Sequence, residues 1–193
     1  KNEKTIALRP EGTASVIRSV IEKKLDQANH KLWYLGPMWR YERPQKGRFR
    51  QFHQAGVELL GFEEGLPEFE MMSIVCTIIN NFNLKNTSIK INHLGTIEIK
   101  ELFCNALVEF LIPHKRLLDK NDLKRLDKNP LRILDTKNKE LQKILKDAPS
   151  IKNFLNESSI DLLNNIKIEF SDICDIDIDY SLVRGLDYYS GFV

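Results

Sequence analysis

WRYERPQKGRFRQFHQAGVE, residues 39–58, decides how this chain is read. Four arginines and a lysine (Arg40, Arg43, Lys46, Arg48, Arg50) flank a turn containing proline and glycine. Phe52, Gln54, Gly56 and Glu58 then follow at even spacing. A strand sends alternate side chains to opposite faces, so these four point the same way. Arg40 and Glu42 share a face on the preceding run. The predicted hairpin therefore presents cations, one aromatic ring, an amide and two carboxylates to a single volume. Such a set suits a small molecule carrying both phosphate and amine better than it suits a core.

Around the hairpin the pattern is mixed α/β. Pro10 suits a first helical position and Ile17, Ile21 and Leu25 repeat at i+4, which predicts an amphipathic helix over 10–25. Residues 31–43 and 48–62 read as the two antiparallel strands. Pro67 opens a second helix through Phe82, with Phe69, Met72, Cys76 and Ile79 on one stripe. Ile89 and Ile91 alternate in a strand over 87–93. From Thr96 to about Asn165 only helical pieces appear, rich in Lys, Asp and Asn, so a helical insertion is expected. Leu163, Ile166, Phe170 and Ile173 fit a further helix. Ile176, Ile178, Tyr180 and Leu182 alternate with Asp175, Asp177, Asp179 and Ser181 as a half-exposed strand. The expected domains are a core over 1–96, an insertion over 97–165 and the core continued over 166–193.

Composition excludes several classes. The 193 residues are 42% hydrophobic, enough for a packed interior. No apolar run approaches the roughly 20 residues of a membrane span. Cys76, Cys104 and Cys174 lie far apart in sequence with no ligand spacing, so they read as buried thiols of a reducing compartment, here the cytoplasm. His30, His93 and His114 lack carboxylate or cysteine partners at ligand spacing, and His53 has the wrong parity to join Phe52 and Gln54. No metal site of the protein's own is expected. The first residue is Lys1, and the final strand breaks off at Val193, which reads as a fragment.

Net charge is +2 but uneven, with +7 over residues 1–50 and +6 over 113–152. Residues 51–80 hold five glutamates and no Lys or Arg, and residues 153–193 carry −6. Two basic regions fit a polyanion or phosphates; ordinary solvated helix faces fit 113–152 equally well.

Two further polar clusters stand beside the hairpin: LRPEGTA at 8–14 and LVRGLDYYSG at 182–191. Alone, the first reads as a helix start with Glu11 favoured by the macrodipole. In the second, Arg184 enters an otherwise acidic tail. The three clusters together, in this order, resemble histidyl-tRNA synthetase, a class II aminoacyl-tRNA synthetase. The resemblance extends over essentially the whole chain, including NPLRILD at 129–135. The hairpin looks like class II motif 2 and LVRGLDYY like the histidine-specific signature. Motifs 1 and 3 of the class would lie outside residues 1–193.

The resemblance implies a class II antiparallel sheet flanked by helices, with a helical insertion domain. It also implies ATP-dependent activation of L-histidine and its transfer to the 3′ end of tRNA(His) by a homodimer, with Mg²⁺ arriving on the ATP. Arg40 would clamp the α-phosphate and the substrate carboxylate, and Glu42 would accept from the adenine amine. Phe52 would stack on adenine, and Arg48 would neutralise the β- and γ-phosphates. Glu11, Thr13 and Gln54 would hold the α-ammonium of histidine, with Gly12 among the histidine-binding residues. Glu58 and Tyr189 would bracket the imidazole, whose two nitrogens a carboxylate and a hydroxyl can read. Tyr188 joins that set only if the backbone is bulged there. Arg184, opposite Arg40 across the α-phosphate, is expected to be catalytic together with it.

The insertion would reach towards tRNA through Lys115, Arg116, Lys120, Lys124, Arg125 and Lys128. Without the outlying motifs, the 193 residues alone are expected to be inactive. Two rival readings are a histidine-binding regulatory subunit of ATP phosphoribosyltransferase and a non-enzymatic RNA-binding module. The first has no need of the ATP set; the second leaves the hairpin's carboxylates and amide unexplained.

Overall fold

The computed structural model describes residues 6–43, 45–183 and 189–193. The chain divides into two compact units, Lys1–Pro67 and Glu68–Val193. The expected boundaries at 96/97 and 165/166 both fall inside the second.

The first unit is helix α1 (Thr13–Glu22) and a hairpin of β1 (His30–Trp39) and β2 (Gln51–Leu60). The strands pair antiparallel from His30↔Leu60 to Trp39↔Gln51. Leu32, Tyr34, Gly36 and Met38 therefore stand opposite Glu58, Gly56, Gln54 and Phe52 on one face. Both strands are shorter than the sequence predicts. The ladder nevertheless runs on through Arg40 N–H to Arg50 C=O at 2.9 Å. The tip closes with Arg48 N–H donating to Gln45 C=O at 2.9 Å, and Gly47 sits at φ +78°, where a residue with a Cβ is strained. Pro44 of the expected turn lies outside the described residues.

Helix α1 begins at Thr13, three residues later than Pro10 predicts. The Pro10 carbonyl accepts from Arg40 Nε at 2.8 Å, so it takes no part in a helical turn. The first helical acceptor is Gly12, whose carbonyl receives Ser15 and Val16 N–H, each at 3.1 Å. Val20 is the buried residue of this helix, while Ile21 and Leu25 of the predicted stripe are 65% and 41% exposed.

Helix α2 (Leu66–Asn81) starts at the boundary and runs into the second unit, followed by β3 (Ser88–Ile91), α3 (Ile97–Leu111), α4 (Lys120–Lys128), α5 (Lys139–Ile144), α6 (Glu157–Phe170) and β4 (Asp175–Ile178). Short 3₁₀ turns link α3 to α6. Strand β3 pairs in parallel with β4, from Ser88↔Asp175 to Ile91↔Ile178, so chain on either side of the helical stretch returns to one sheet. Met72 and Cys76 of α2, Leu163, Ile166 and Phe170 of α6, and Ile91 and Ile176 of the strands share one core. The predicted stripe on α2 packs, and so do Leu163, Ile166 and Phe170 of the one on α6; Ile173 lies beyond the end of that helix and is 48% exposed.

A second cluster joins Phe103, Leu131 and Ile151 of the helical stretch to Leu94 and Val183 on either side of it. A third, of Leu107, Leu111, Leu118, Ile133 and Leu141, lies wholly within that stretch. The abundance of Asn and Asp here has a local cause. Asp119 caps α4 by accepting from Asn121 and Asp122 N–H, both at 2.7 Å. Asn138 caps α5 and Asn156 caps α6 in the same way.

The segment 92–95 is stitched to 191–193 by four backbone bonds of 2.7–2.9 Å. Strand β4 ends at Ile178, well before Leu182 of the predicted alternation. There Asp179 turns the chain: its N–H donates to Ile91 C=O, and its carboxylate accepts from Ser181 and from Lys90 Nζ at 2.7 Å. The Lys90 ammonium holds the Asp179 carboxyl below its usual range, and Asp179 in turn raises Lys90. All three cysteines are free thiols. Burial, and then a hydrogen bond with Cys174, pushes the Cys76 thiol up to about 12. Among the described residues, no helix is long and apolar enough to cross a membrane.

Candidate active site

The hairpin and the loop leading into α1 build one polar surface. Arg40 sits just beyond β1, where its Nε bond to Pro10 fixes the guanidinium over the Phe52 ring, 4.9 Å from the centroid. Arg48 Nη1 meets Glu42 Oε2 at 3.0 Å. Arg40, Glu42, Arg48 and Phe52 line a single cavity of about 260 Å³ with Gly47 and Phe49. Two guanidiniums, a ring face and a carboxylate can receive phosphates, an adenine ring and an exocyclic amine. Arg50 instead donates to the Glu42 carbonyl at 3.4 Å and lies over Tyr41, and Lys46 is exposed at the tip.

Further along the same face stand Gln54, Gly56 and Glu58. Gln54 Oε1 is buried and has no hydrogen-bond partner among the described residues, an acceptor waiting for a donor. Thr13 Oγ1 donates to Glu58 Oε1 at 2.6 Å, so the start of α1 and β2 converge here. Glu11 accepts from Ala14 N–H at 3.0 Å, in the first turn of α1. His53 is exposed on the opposite face of β2.

Tyr189 belongs to the second unit. It is half-buried against the Leu94–Phe103–Val183 cluster, and its carbonyl accepts from Lys100 Nζ at 2.9 Å. Arg184 and Tyr188 lie outside the described residues. Of the basic set in the helical stretch, Lys115, Arg116, Lys120, Lys124 and Lys128 are exposed. Arg125 is turned to the buried Asp122 at 3.4 Å, a structural duty. Among the described residues, no group of three or more His, Cys, Asp or Glu could hold a metal ion.

Nothing in the sequence singles out Tyr34. Its ring lies against both Gly12 and Gly56, and a lone tyrosine on a strand carries no signal for that. Arg9 is a second such residue: its Nε donates to the Pro37 carbonyl at 3.1 Å, and its guanidinium covers Gly36, the cross-strand partner of Gln54.

The fold is that of a class II aminoacyl-tRNA synthetase. It matches the crystal structure of apo S. aureus histidyl-tRNA synthetase with a TM-score of 0.74 at 36% identity, covering 100% of this chain and 45% of that one. The family model described as Histidyl-tRNA synthetase matches residues 1–193, and the chain belongs to that family. Histidine–tRNA ligase of Prochlorococcus marinus (strain MIT 9211) is 44% identical over 197 residues, covering 98% of this chain and 45% of the relative. The enzyme of the same name from Francisella philomiragia is 40% identical over 203 residues, covering 100% and 46%. The chain thus spans a little under half the length of the relatives it matches.

Proposed function

We propose that the protein of which these residues are part activates L-histidine with ATP and transfers it to the 3′ end of tRNA(His). The observation that carries this reading is the cavity at the hairpin tip, where Arg40, Glu42, Arg48 and Phe52 meet. Glu42 would receive the adenine amine, Phe52 the ring, Arg40 the α-phosphate, and Arg48 the β- and γ-phosphates with their Mg²⁺. The orphaned Gln54 Oε1 suits an ammonium donor. Glu58 reads one imidazole nitrogen, and Tyr189 is assigned the other.

In the first half-reaction the histidine carboxylate attacks the α-phosphorus, a P–O bond forms, and pyrophosphate leaves with the bonding pair of the α–β bridge. No protein nucleophile is needed. The residues contribute position and charge stabilisation, a role assigned to Arg40 and Arg184. In the second, the terminal ribose hydroxyl attacks the adenylate carbonyl and AMP leaves. Residues 97–165 act as an insertion offering cations to tRNA phosphates, and the enzyme works as a cytoplasmic homodimer. A purely histidine-binding regulatory role would leave the nucleotide cavity without a purpose.

ATP–pyrophosphate exchange by the full-length protein, run with each amino acid in turn, tests the proposal. Exchange is expected with histidine alone; its absence with histidine overturns the reading. Arg184→Ala should nearly abolish exchange while histidine still binds.

A further inference from the structure

Tyr34 stands on β1 directly opposite Gly56 on β2. Its ring leans across that glycine so closely that a Cβ there would overlap both Cζ and the hydroxyl oxygen. A Cβ on Gly12 would overlap Cε2 of the same ring. Neither glycine adopts a positive φ, and Gly12 has φ −103°, which any residue adopts. The tyrosine ring, not backbone freedom, is therefore what excludes a side chain at both positions.

These two glycines sit at the centres of two different clusters. Gly12 lies between Glu11 and Thr13, and Gly56 lies between Gln54 and Glu58. One rigid ring thus lies against the backbone beside both pairs of side chains. The Thr13–Glu58 bond of 2.6 Å spans the same gap. An aromatic ring covering a cross-strand glycine is a stable pairing, because it shields backbone that has no side chain of its own. A branched aliphatic in its place would fill less of the gap and let the 11–13 loop settle towards β2.

We propose that Tyr34 is a positioning residue that sets the spacing between residues 11–13 and residues 54–58, and with it the dimensions of the amino-acid subsite. This rests on the proposed assignment of those residues to histidine. Tyr34 acts on the amino-acid side alone, because the Arg40, Glu42, Arg48 and Phe52 cavity lies further along the hairpin and does not include it. Displacements of about 1 Å among substrate-positioning groups cost on the order of 100-fold in rate, so even a modest collapse should be measurable.

The test is histidine-dependent pyrophosphate exchange by the full-length protein, with both Michaelis constants measured. Tyr34→Leu is expected to raise KM for histidine about tenfold or more and to leave KM for ATP within about twofold. Tyr34→Phe keeps the ring and should stay within about threefold of wild type for both. If Tyr34→Leu does not fold, Gly56→Ala reads the same spacing, since its methyl group pushes on the ring from the strand side. It too should raise KM for histidine selectively. An unchanged KM for histidine, or equal rises in both constants, overturns the proposal. A wild-type protein without histidine-dependent exchange refutes the proposed function itself and takes this inference with it.

Discussion

Thr13 Oγ1 donates to Glu58 Oε1 across 2.6 Å, joining the first residue of α1 to a residue near the end of β2. A hydroxyl has one proton and two lone pairs, so giving the proton to Glu58 leaves oxygen able to accept from an ammonium. Under the proposed assignment, the bond would orient Thr13 for the α-amine and hold Glu58 still for the imidazole.

Thr13→Val, of nearly equal volume, removes both capacities. KM for histidine in pyrophosphate exchange is expected to rise about tenfold, the loss of about 1–2 kcal/mol of hydrogen bonding to a charged group. Thr13→Ser should restore most of it. Equal sensitivity to valine and serine would assign Thr13 to packing.

The Arg48–Glu42 ion pair occupies the cavity that the nucleotide is proposed to enter. Arg48 is 63% exposed, and pairs of that kind contribute about 0–1 kcal/mol, so ATP can part them at little cost. Arg48→Ala should raise KM for ATP about tenfold. The melting temperature should stay within about two degrees of wild type, since only a weak surface pair is removed. A large fall in melting temperature with unchanged KM would make the pair structural.

The parts legible in sequence are those that depend on local periodicity. Alternation places Phe52, Gln54, Gly56 and Glu58 on one face, and i+3/i+4 spacing finds the packed stripes of α2 and α6, because burial follows side-chain direction there. What escapes such reading depends on partners distant in the chain. Pro10 reads as a helix start until Arg40 takes its carbonyl. Cys76 and Cys174 read as unrelated thiols, yet they are neighbours in one core. Tyr34 draws no notice in the sequence, and only the two glycines against its ring single it out. Arg125 looks like its neighbouring lysines, but a buried aspartate claims it.

The helical stretch between α3 and α6 cannot be deleted cleanly, because Phe103 and Leu131 share a core with Leu94 and Val183. Point changes are the better probe. Replacing Lys120, Lys124 and Lys128 together with glutamine should lower kcat/KM for tRNA charging about tenfold at low salt. It should also flatten the salt dependence in proportion to the tRNA phosphates no longer neutralised. Pyrophosphate exchange should not change. An unaltered salt slope would show these lysines to be a solvated face.

Lys90 and Asp179 bracket the end of the β3–β4 pair, and the signs of their shifts fix where that contact matters. Asp179 is depressed, chiefly by the hydrogen bond from Lys90 and then by Ser181, so its stabilisation is present above the unfolded carboxyl's pKa and is lost as pH falls through the folded value. Lys90 is raised by Asp179, so its contribution is complete below the ordinary lysine range and is lost as pH rises through its own folded value. Cys76 behaves like Lys90 in sign. Its protonated thiol favours the folded state fully below the usual 9.0, and this is lost as pH climbs through about 12. Asp179→Asn keeps the turn's size but removes the charge. It should lower stability at pH 7 only modestly, because the lysine partner is solvent-screened, and flatten the fall in stability on the acid side. Urea unfolding from pH 3 to pH 8 measures this. A variant whose acid limb parallels that of wild type would mean that the Lys90–Asp179 pair contributes nothing to the pH dependence of the sheet.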